Sequence, residues 1–518
     1  MSDSTQRKFL QRVPLARARE LIVSLARRTE PETVDVESSL GRITAEPIHA
    51  RFASPHYRAS AMDGIAVRSV DTATASPETP LSIPDVGTDT PAAGIVACTA
   101  VDTGNPLPEW ADAVIRIEDT VRSADVYQIA APVPAGRDVR RIGEDAETGA
   151  LLVGVGHRVR PYDIGAMLAT GVERVAVRTP PRLAVLATGT EIVEPGGTPG
   201  PGQVIEFNSR MLAGCVAEWG GIAFYAGRVA DERAALEKSI RSAASTHDVV
   251  CVIAGSSAGR KDYTVEVLAA CGTVHFHGVD MMPGKPAALA EIGGKPVIGV
   301  PGYPVSAYAC YRELVAPLLA AMLGTAPPPI TTVRGTVKRR IVSKLGVEEL
   351  LRVCLARTPD GLVVAPLPRG AGSVTTLVRA DGILRIAATS EGVDAGAIVD
   401  VELLDTGTVP GSTWVVAGRP DALTAEVETL LRTAGSSLRV AYLGRADYDA
   451  VLALALGEAH TAVFSVEDAS TARELLATHA PEAEIVSEDG AAALVAVGRA
   501  ASALPSSNVL MRALRAKR

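Results

Sequence analysis

From residue 182 onward the chain settles into a repeating strand–helix alternation, and this repeat restricts the fold more than any other feature of its 518 residues. "RLAVLAT" (182–188), "IAFYAGRV" (222–229), "DVVCVIAG" (248–255), "TVHFHGV" (273–279) and "KPVIGVPG" (295–302) predict strands. Between them the pattern predicts helices at about 208–219, 231–245, 262–271 and 304–323. Such alternation builds a mainly parallel sheet with helices on both faces. In these sheets the ligand crevice lies outside the carboxyl ends of the strands. Three of those ends run into small-residue loops, "ATGTE" (187–191), "GSSAG" (255–259) and "VPGYPVSA" (300–307). Small residues let a ligand approach the main chain, and N–H groups at a helix start favour anions. The loops therefore point to a phosphate or another oxyanion. Asp262 follows one of them, and its carboxylate would repel an anion unless a cation lies between.

The remaining chain is too long for one core, so several domains are expected. Residues 14–29 predict a helix with Leu15, Ala18, Leu21, Ile22 and Leu25 on one face. Residues 51–150 read as short strands and turns, and 150–180 as a helix and a short strand. "TAPPPI" (325–330) and "DTGTVPGST" (405–413) read as linkers. Between them the pattern is β-like, a small barrel or sandwich. The tail from 414 returns to α/β alternation, with helices near 420–434 and 446–457. The composition, 47% hydrophobic and 21% charged, is that of a globular protein, and a net charge of −8 gives no reason to expect nucleic-acid binding. The basic, amphipathic N-terminus is unlike a signal peptide, and no apolar run has the length of a membrane span, so a cytoplasmic protein is expected. Six cysteines without a C-x-x-C pair sit mostly in apolar runs and predict reduced core residues.

Several short stretches could carry chemistry. "SAMDG" (60–64) sets Asp63 beside a glycine, either as an ordinary Asp-Gly turn or as a placed carboxylate. Glu118 closes the Pro-rich stretch "DTGNPLPEWADAVIRIED" (102–119) and could equally be a solvated strand end. "RRIGEDAETG" (140–149) pairs Arg140 and Arg141 with Glu144 and Asp145, which a surface ion-pair cluster would also explain. His275 and His277 share one side of a strand, but no third metal ligand follows at a useful spacing. Walker-type and G-x-G-x-x-G signatures are absent, which excludes support for a P-loop ATPase or a Rossmann dehydrogenase. "MMPGKPAALA" (281–290) holds Lys285 behind a rigid Pro-Gly turn, a fixed cation near the Gly-Ser loops. Several acids, fixed cations and backbone donors suit a phosphate or oxyanion held with Mg²⁺.

Taken together, "SPHYRASAMDGIAV", "TGNPLPEWADAVIRIE", "RRIGEDAETG", "LATGTEIV", "GQVIEFNSRML", "AGSSAGRKDYT", "HGVDMMPGKP", "GVPGYPVSA" and "SVTTLVRADGI" occur in the order found in the molybdopterin molybdenumtransferase family, the MoeA and gephyrin E-domain type. The chain resembles that family over roughly residues 10–404. The resemblance implies a multidomain α/β and β protein. Its parts would be a discontinuous linking domain (1–50 and 150–180), a β-rich inserted domain (51–149), a three-layer α/β/α molybdopterin-binding-type domain (181–325) and a β-barrel-like domain (326–404). It implies Mg²⁺-dependent insertion of molybdate into adenylylated molybdopterin with release of AMP, in a homodimer with a cleft between subunits. A molybdopterin adenylyltransferase and molybdoenzyme apoproteins are the implied partners. Carried over residue by residue, Asp63, Asp145, Glu191, Asp262 and Lys285 match catalytic positions. Thr188, Gly189, Ser257, Gly259, Pro283, Gly284, Pro301, Gly302 and Ser306 match ligand-holding loops, and Asp262, Glu191 and Glu118 match positions for the metal. The family's "K-P-G-K-P" reads "M-P-G-K-P" here, so Met282 stands where an ammonium is usual. "P-G-Y-P" and "A-G-S-S-A-G" resemble a subgroup fused to a substrate-binding-like domain, of which residues 414–518 would be a shortened copy. A non-catalytic molybdopterin- or molybdate-binding paralogue and a tungstate-using transferase are the alternatives.

Overall fold

The computed structural model describes residues 12–230, 232–254, 264–405, 407, 409–418, 438–444, 447–465, 469–489 and 493–504. The chain divides into two compact units. One comprises Thr29–Thr179 with Leu323–Thr325, the other Met1–Arg28, Pro180–Met322 and Ala326–Arg518. The second unit opens with α1 (Leu15–Ser24), shorter than the stretch the periodicity suggested, with Leu15, Ala18 and Ile22 buried. No helix among the described residues is long and apolar enough to cross a membrane.

In the 29–179 unit, β1 (Gly64–Val67) lies between β2 (Cys98–Val101) and β3 (Ala113–Arg116), all antiparallel. A second three-stranded sheet runs Leu81–Pro84, Val126–Ile129, Thr120–Ser123. Ile65, Val67, Ile83, Cys98, Ile115, Tyr127 and Ile129 form the core they share. Strand alternation brings these residues to one face, as a half-buried sheet requires. A separate core, with Val36, Ile48, Val153, Met167 and Val175, gathers around α2 (Pro161–Ala169).

The second unit carries the alternating region. Its sheet has the order β5–β4–β6–β10–β9–β7, formed by β4 (Arg182–Thr188), β5 (Ile222–Val229), β6 (Val249–Ala254), β7 (Thr273–His277), β9 (Ala288–Ile292) and β10 (Lys295–Pro301). Only β9 runs against the others. The expected parallel sheet is thus present, with one further strand, β9, that was not among the predicted ones. β9 and β10 form a hairpin closed at Ile292↔Lys295 by Gly293 and Gly294, whose φ values are +59° and +74°. Two left-handed residues are what this tight turn demands, and glycine supplies them without strain.

Both sheet faces are covered. Leu183, Val185, Cys251 and Ile253 join one core with α1, α3 (Asn208–Glu218) and the helical run from α6 (Pro304–Cys310) through a π-turn (Tyr311–Val315) to α7 (Ala316–Leu323). Their sequence neighbours Ala184, Leu186, Val250 and Val252 join the opposite core with α4 (Arg233–Thr246) and α5 (Thr264–Cys271). Continuous apolar runs in these strands follow from burial on both faces.

Beyond 331, strands β11 (Thr332–Val337), β12 (Glu348–Thr358), β13 (Gly361–Pro366), β14 (Gly382–Ile386) and β15 (Ile398–Leu403) pair in the closed order β12–β13–β11–β15–β14–β12. The ring leaves no open edge and makes a barrel. A two-residue strand, β8 (Met281–Met282), adds in parallel to β12 at Glu348 and Glu349. The tail forms a five-stranded sheet, β17–β16–β18–β20–β19, from β16 (Thr413–Gly418), β17 (Arg439–Tyr442), β18 (Thr461–Ser465), β19 (Glu484–Asp489) and β20 (Ala493–Val497). Helices α9 (Asp447–Ala455) and α10 (Ala469–His479) accompany it, while the helix expected at 420–434 lies outside the described residues. Residues 409–413 are not a free linker. The Pro410 carbonyl accepts from Arg357 at 2.7 Å, and the Thr413 hydroxyl donates to Asp381 at 2.6 Å.

Candidate functional site

Because β4, β6 and β10 are parallel neighbours, their carboxyl ends open on one edge of the sheet. Thr188 ends β4 buried, its hydroxyl donating to the Ile253 carbonyl at 3.1 Å, which ties two of these strand ends together. Gly189 has φ +140°, and a Cβ there would lie 2.7 Å from Glu191 Oε1, so the exposed Glu191 carboxylate folds back over a position only glycine leaves open. Pro301 ends β10, Gly302 follows, Tyr303 is exposed and Ser306 is buried in the first turn of α6. Asn208, at the start of α3, donates from Nδ2 to the Gly302 carbonyl at 2.7 Å. The adjoining Glu206, buried, accepts from the Ser209 amide at 2.9 Å and its hydroxyl at 2.5 Å. Neither Glu206 nor Asn208 was singled out from the sequence, although "EFNS" is a helix-start signature with the acid ahead of the first turn.

The Pro283–Gly284–Lys285 turn follows β8. Gly284 has φ +113°, and a Cβ on it would meet Met281 Cε at 2.5 Å, so the turn requires glycine. The Lys285 carbonyl accepts from the Val279 amide at 2.9 Å, which fixes its backbone while its side chain stays exposed. Because β8 pairs with β12, this turn is anchored to the barrel. A barrel segment also reaches the rim, where the Val305 amide donates to the Ala371 carbonyl at 3.0 Å. Under that segment lies Arg352, 2% exposed, which donates to the Pro368 carbonyl at 2.6 Å. Its buried Nε has no hydrogen-bond partner among the described residues, and burial lowers its pKa. Sequence reasoning passed over Arg352 because it sits inside an apolar strand pattern. Ser257, Gly259 and Asp262 lie outside the described residues.

The 29–179 unit holds the other candidate acids. Asp63 is exposed and accepts at Oδ1 from the Thr103 amide at 2.7 Å and its hydroxyl at 2.8 Å, chiefly the former holding its carboxyl below the usual range. Gly64 is a strand residue rather than a turn residue, since a Cβ there would lie 2.0 Å from the Ile115 carbonyl oxygen. The glycine of "SAMDG" thus lets β1 and β3 approach. The same pairing brings Glu118 near Asp63, because the Ile117 amide donates to the Asp63 carbonyl at 2.9 Å. Asp145 belongs elsewhere in the unit. Its amide donates to the Ser54 carbonyl at 3.0 Å, and it follows the short strand in which Val139 pairs with Ser60 and Arg140 with Ala59. The expected ion-pair cluster reduces to Arg140 and Glu144 at 3.8 Å, with Arg141 contributing only its amide. Arg116, bidentate to Asp138 at 2.9 and 3.1 Å, braces this region and was not foreseen.

No three His, Cys, Asp or Glu side chains among the described residues are disposed to hold a metal, and His275 pairs with Glu291 at 3.4 Å. One exposed carboxylate at the rim, Glu191, fits Mg²⁺ as a partial donor, since that ion keeps waters and takes one or two carboxylates alongside substrate phosphates. The six cysteines are free, and burial pushes the Cys98 and Cys251 thiols up to about 12.

Comparison with known proteins adds to this geometry. Residues 13–171 match the MoeA N-terminal region (domains I and II), 184–321 a molybdopterin-binding domain and 334–404 the MoeA C-terminal region (domain IV). A Methanocaldococcus jannaschii protein named for molybdopterin biosynthesis is 30% identical over 380 residues, 72% of this chain and 92% of its own length. The chain belongs to the MoeA family. Molybdopterin molybdenumtransferase 2 of Mycobacterium tuberculosis is 28% identical over 74% of this chain and 97% of that one. Two solved MoeA structures from Pyrococcus horikoshii superpose with TM-scores of 0.67 and 0.63, at 34% and 26% identity, each over 76% of this chain and all of the other. This member of the MoeA family therefore has a multidomain MoeA-like fold with a molybdopterin-binding domain and a barrel-like domain. The matches to family regions end at residue 404, ahead of the tail.

Proposed function

We propose that this MoeA-family protein is a molybdopterin molybdenumtransferase, which inserts molybdate into adenylylated molybdopterin while water cleaves the adenylyl link and AMP is released. The observation that carries the reading is the opening of the carboxyl ends of β4, β6 and β10 on one sheet edge, the edge at which the chain between β7 and β9 carries the Lys285 turn. Thr188, Gly189, Gly302 and Ser306, with Ser257 and Gly259, would cradle the phosphorylated pterin. Pro283, Gly284 and Pro301 would fix the backbone around it. Lys285 would balance the charge that develops on the phosphate oxygens, and Glu191 and Asp262 would hold and orient water and cation. Mg²⁺, when bound, supplies charge neutralisation at the pyrophosphate. Asp63, Glu118 and Asp145 would complete the site from a second protomer of a homodimer. The β-rich stretch 51–149 would be an inserted domain, 1–50 with 150–180 a linking domain, 181–325 a three-layer domain, 326–404 the barrel and 414–518 a substrate-binding-like module. The protein would work in the cytoplasm, receiving adenylylated molybdopterin from an adenylyltransferase and passing cofactor to molybdoenzyme apoproteins.

One observation favours a second reading, a binding paralogue without turnover. Met282, half-buried in β8, places a thioether two residues before the Pro-Gly turn's glycine, where the family sequence offers an ammonium. Purified protein with adenylylated molybdopterin, Mg²⁺ and molybdate decides between them, alongside Met282→Lys. Molybdate-dependent AMP release from the unaltered protein is the expected result. Release from Met282→Lys alone would establish the paralogue, and no release from either would overturn the transferase reading.

A further inference from the structure

The barrel segment that touches the rim is held at its other end by the tail. Gly370–Ser373 lies at the rim, with Ala371 accepting from Val305 at 3.0 Å and Gly372 alongside the Tyr303 ring. It leads into α8 (Thr375–Arg379), a five-residue helix. So short a helix does not persist unaided, because nucleation outweighs the few bonds it makes. Its terminal carbonyls also need partners. Arg439, on tail strand β17, supplies them, donating from Nη1 to Val378 O at 2.9 Å and from Nη2 to Arg379 O at 3.3 Å. A cation at a helix carboxyl end also suits the helix dipole. The same guanidinium bonds to the carboxylate of Asp381, 1% exposed, which accepts from Thr413 at 2.6 Å and from the Leu355 amide at 2.7 Å. The Arg379 guanidinium carbon lies 5.6 Å from the centre of the Tyr442 ring, another tail group. Thr413, Arg439 and Tyr442 all lie beyond residue 404, where the matches to the MoeA regions end.

We propose that the C-terminal module is a positioning support for the rim. Arg439, assisted by Thr413, fixes α8 and so holds Gly370–Ser373 against the Tyr303–Val305 turn, which sets the affinity of that rim for its ligand. Arg439 is a positioning residue, acting through α8. The proposal deepens the transferase reading and rests on it only for the identity of the ligand.

Hydrogen exchange on the full chain tests the support without any ligand. Arg439→Gln should raise exchange about tenfold at the Thr376, Leu377 and Ala380 amides, which bond within the segment, and at Val305, which bonds to it. Arg439→Lys, which keeps the charge and loses the fork, should fall between and serves if Arg439→Gln does not fold. In the AMP-release assay, KM for adenylylated molybdopterin should rise while kcat stays within about twofold, the pattern of lost uniform binding. Unchanged exchange at Val305 and α8 would overturn the proposal. So would faster exchange spread evenly over the tail sheet, which would make Arg439 a support for the tail alone. If the unaltered protein releases no AMP, the transferase reading fails, while the exchange result still decides whether the tail holds the rim.

Discussion

Asn208 offers the sharpest test of how the rim is built. Its Nδ2 donates to the Gly302 carbonyl at 2.7 Å, while its buried Oδ1 has no partner among the described residues. Asn208→Asp keeps the shape and exchanges a donor for an acceptor. Losing the bond removes about 1 kcal/mol, and facing a carboxylate towards a carbonyl away from water adds about 1–3 kcal/mol. The total, roughly 2–4 kcal/mol, corresponds to about 30-fold or more in local opening. The natural probes are the amides of Met211, which bonds to Phe207 O at 3.0 Å, and Ala307, which bonds to Tyr303 O at 2.8 Å. The effect should depend on pH. Once protonated, the introduced carboxyl can donate to Gly302, so its folded pKa lies above the unfolded value of about 3.9. A raised carboxyl pKa means that stability is fully present below the unfolded value and lost as pH rises through the folded one. Protection factors at Met211 and Ala307 should therefore be near those of the unaltered protein at about pH 4.5 and fall sharply by about pH 7.5. Asn208→Ala should cost only about 1 kcal/mol at both. Equal losses for the two substitutions, or a loss in Asn208→Asp indifferent to pH, would refute the bond as the tie between α3 and the rim.

Three further outcomes are expected. Asp163, 7% exposed at the start of α2, accepts from the Arg160 amide and guanidinium at 2.8–3.0 Å and from His157 at 2.6 Å, and Arg160 above all holds its carboxyl well below the usual range. Asp163→Asn should destabilise the 29–179 unit by about 3 kcal/mol in urea unfolding near neutral pH, a deficit that shrinks as pH falls below about 3.9 towards the depressed folded pKa. Arg385 pairs with Glu313, Glu348 and Glu402, so Arg385→Met leaves Glu313, 3% exposed, with Arg19 as its remaining ion-pair partner and should lower thermal stability by about 3 kcal/mol, partly recovered by adding Glu313→Gln. Burial pushes His460 down to about 4, its Nδ1 accepting from Val415 at 2.8 Å with Nε2 3.0 Å from the Arg357 carbonyl. A depressed pKa confers stability above about pH 6.5 that is lost as pH falls towards 4, so the fluorescence of Trp414, 5.4 Å away, should report loosening of the tail across that window.

The sheet was legible because its strands are buried on both faces and read as unbroken apolar runs, and parallel order then placed the strand ends at Thr188, Ala254 and Pro301 together. The strand Ala288–Ile292 was not, because the Pro-Gly turn ahead of it dominated the reading and the Gly293–Gly294 hairpin signal went unused. Lys285 stood out through the local Pro-Gly chemistry, whereas Glu191 was named only through the family resemblance. Arg352 and Arg439 were not visible, because their significance comes from segments far away in sequence. Asp63 was visible as a residue, yet the reason for its glycine neighbour, the 2.0 Å approach of the Ile115 carbonyl to a Gly64 Cβ, belongs to strand pairing and not to a turn.

The barrel strand Glu348–Thr358 shows why the tail matters to the rest. Leu351, Val353 and Leu355 point to the barrel interior, while Cys354 and Ala356 join a core with Val415, Ala417, Phe464 and Leu476 of the tail. Val364 and its neighbours Val363 and Ala365 divide between the same two cores. A barrel strand facing water on its outer side would alternate apolar with polar residues. These two strands do not, because a second core lies against them. Arg339, bidentate to the buried Glu458 at 3.1 and 2.7 Å and 3.4 Å from Asp449, adds a charged pair to the contact. The barrel and the tail are therefore one folding unit in energetic terms. Whatever the rim binds, the geometry of its barrel-derived edge depends on residues that lie after the matched MoeA regions have ended.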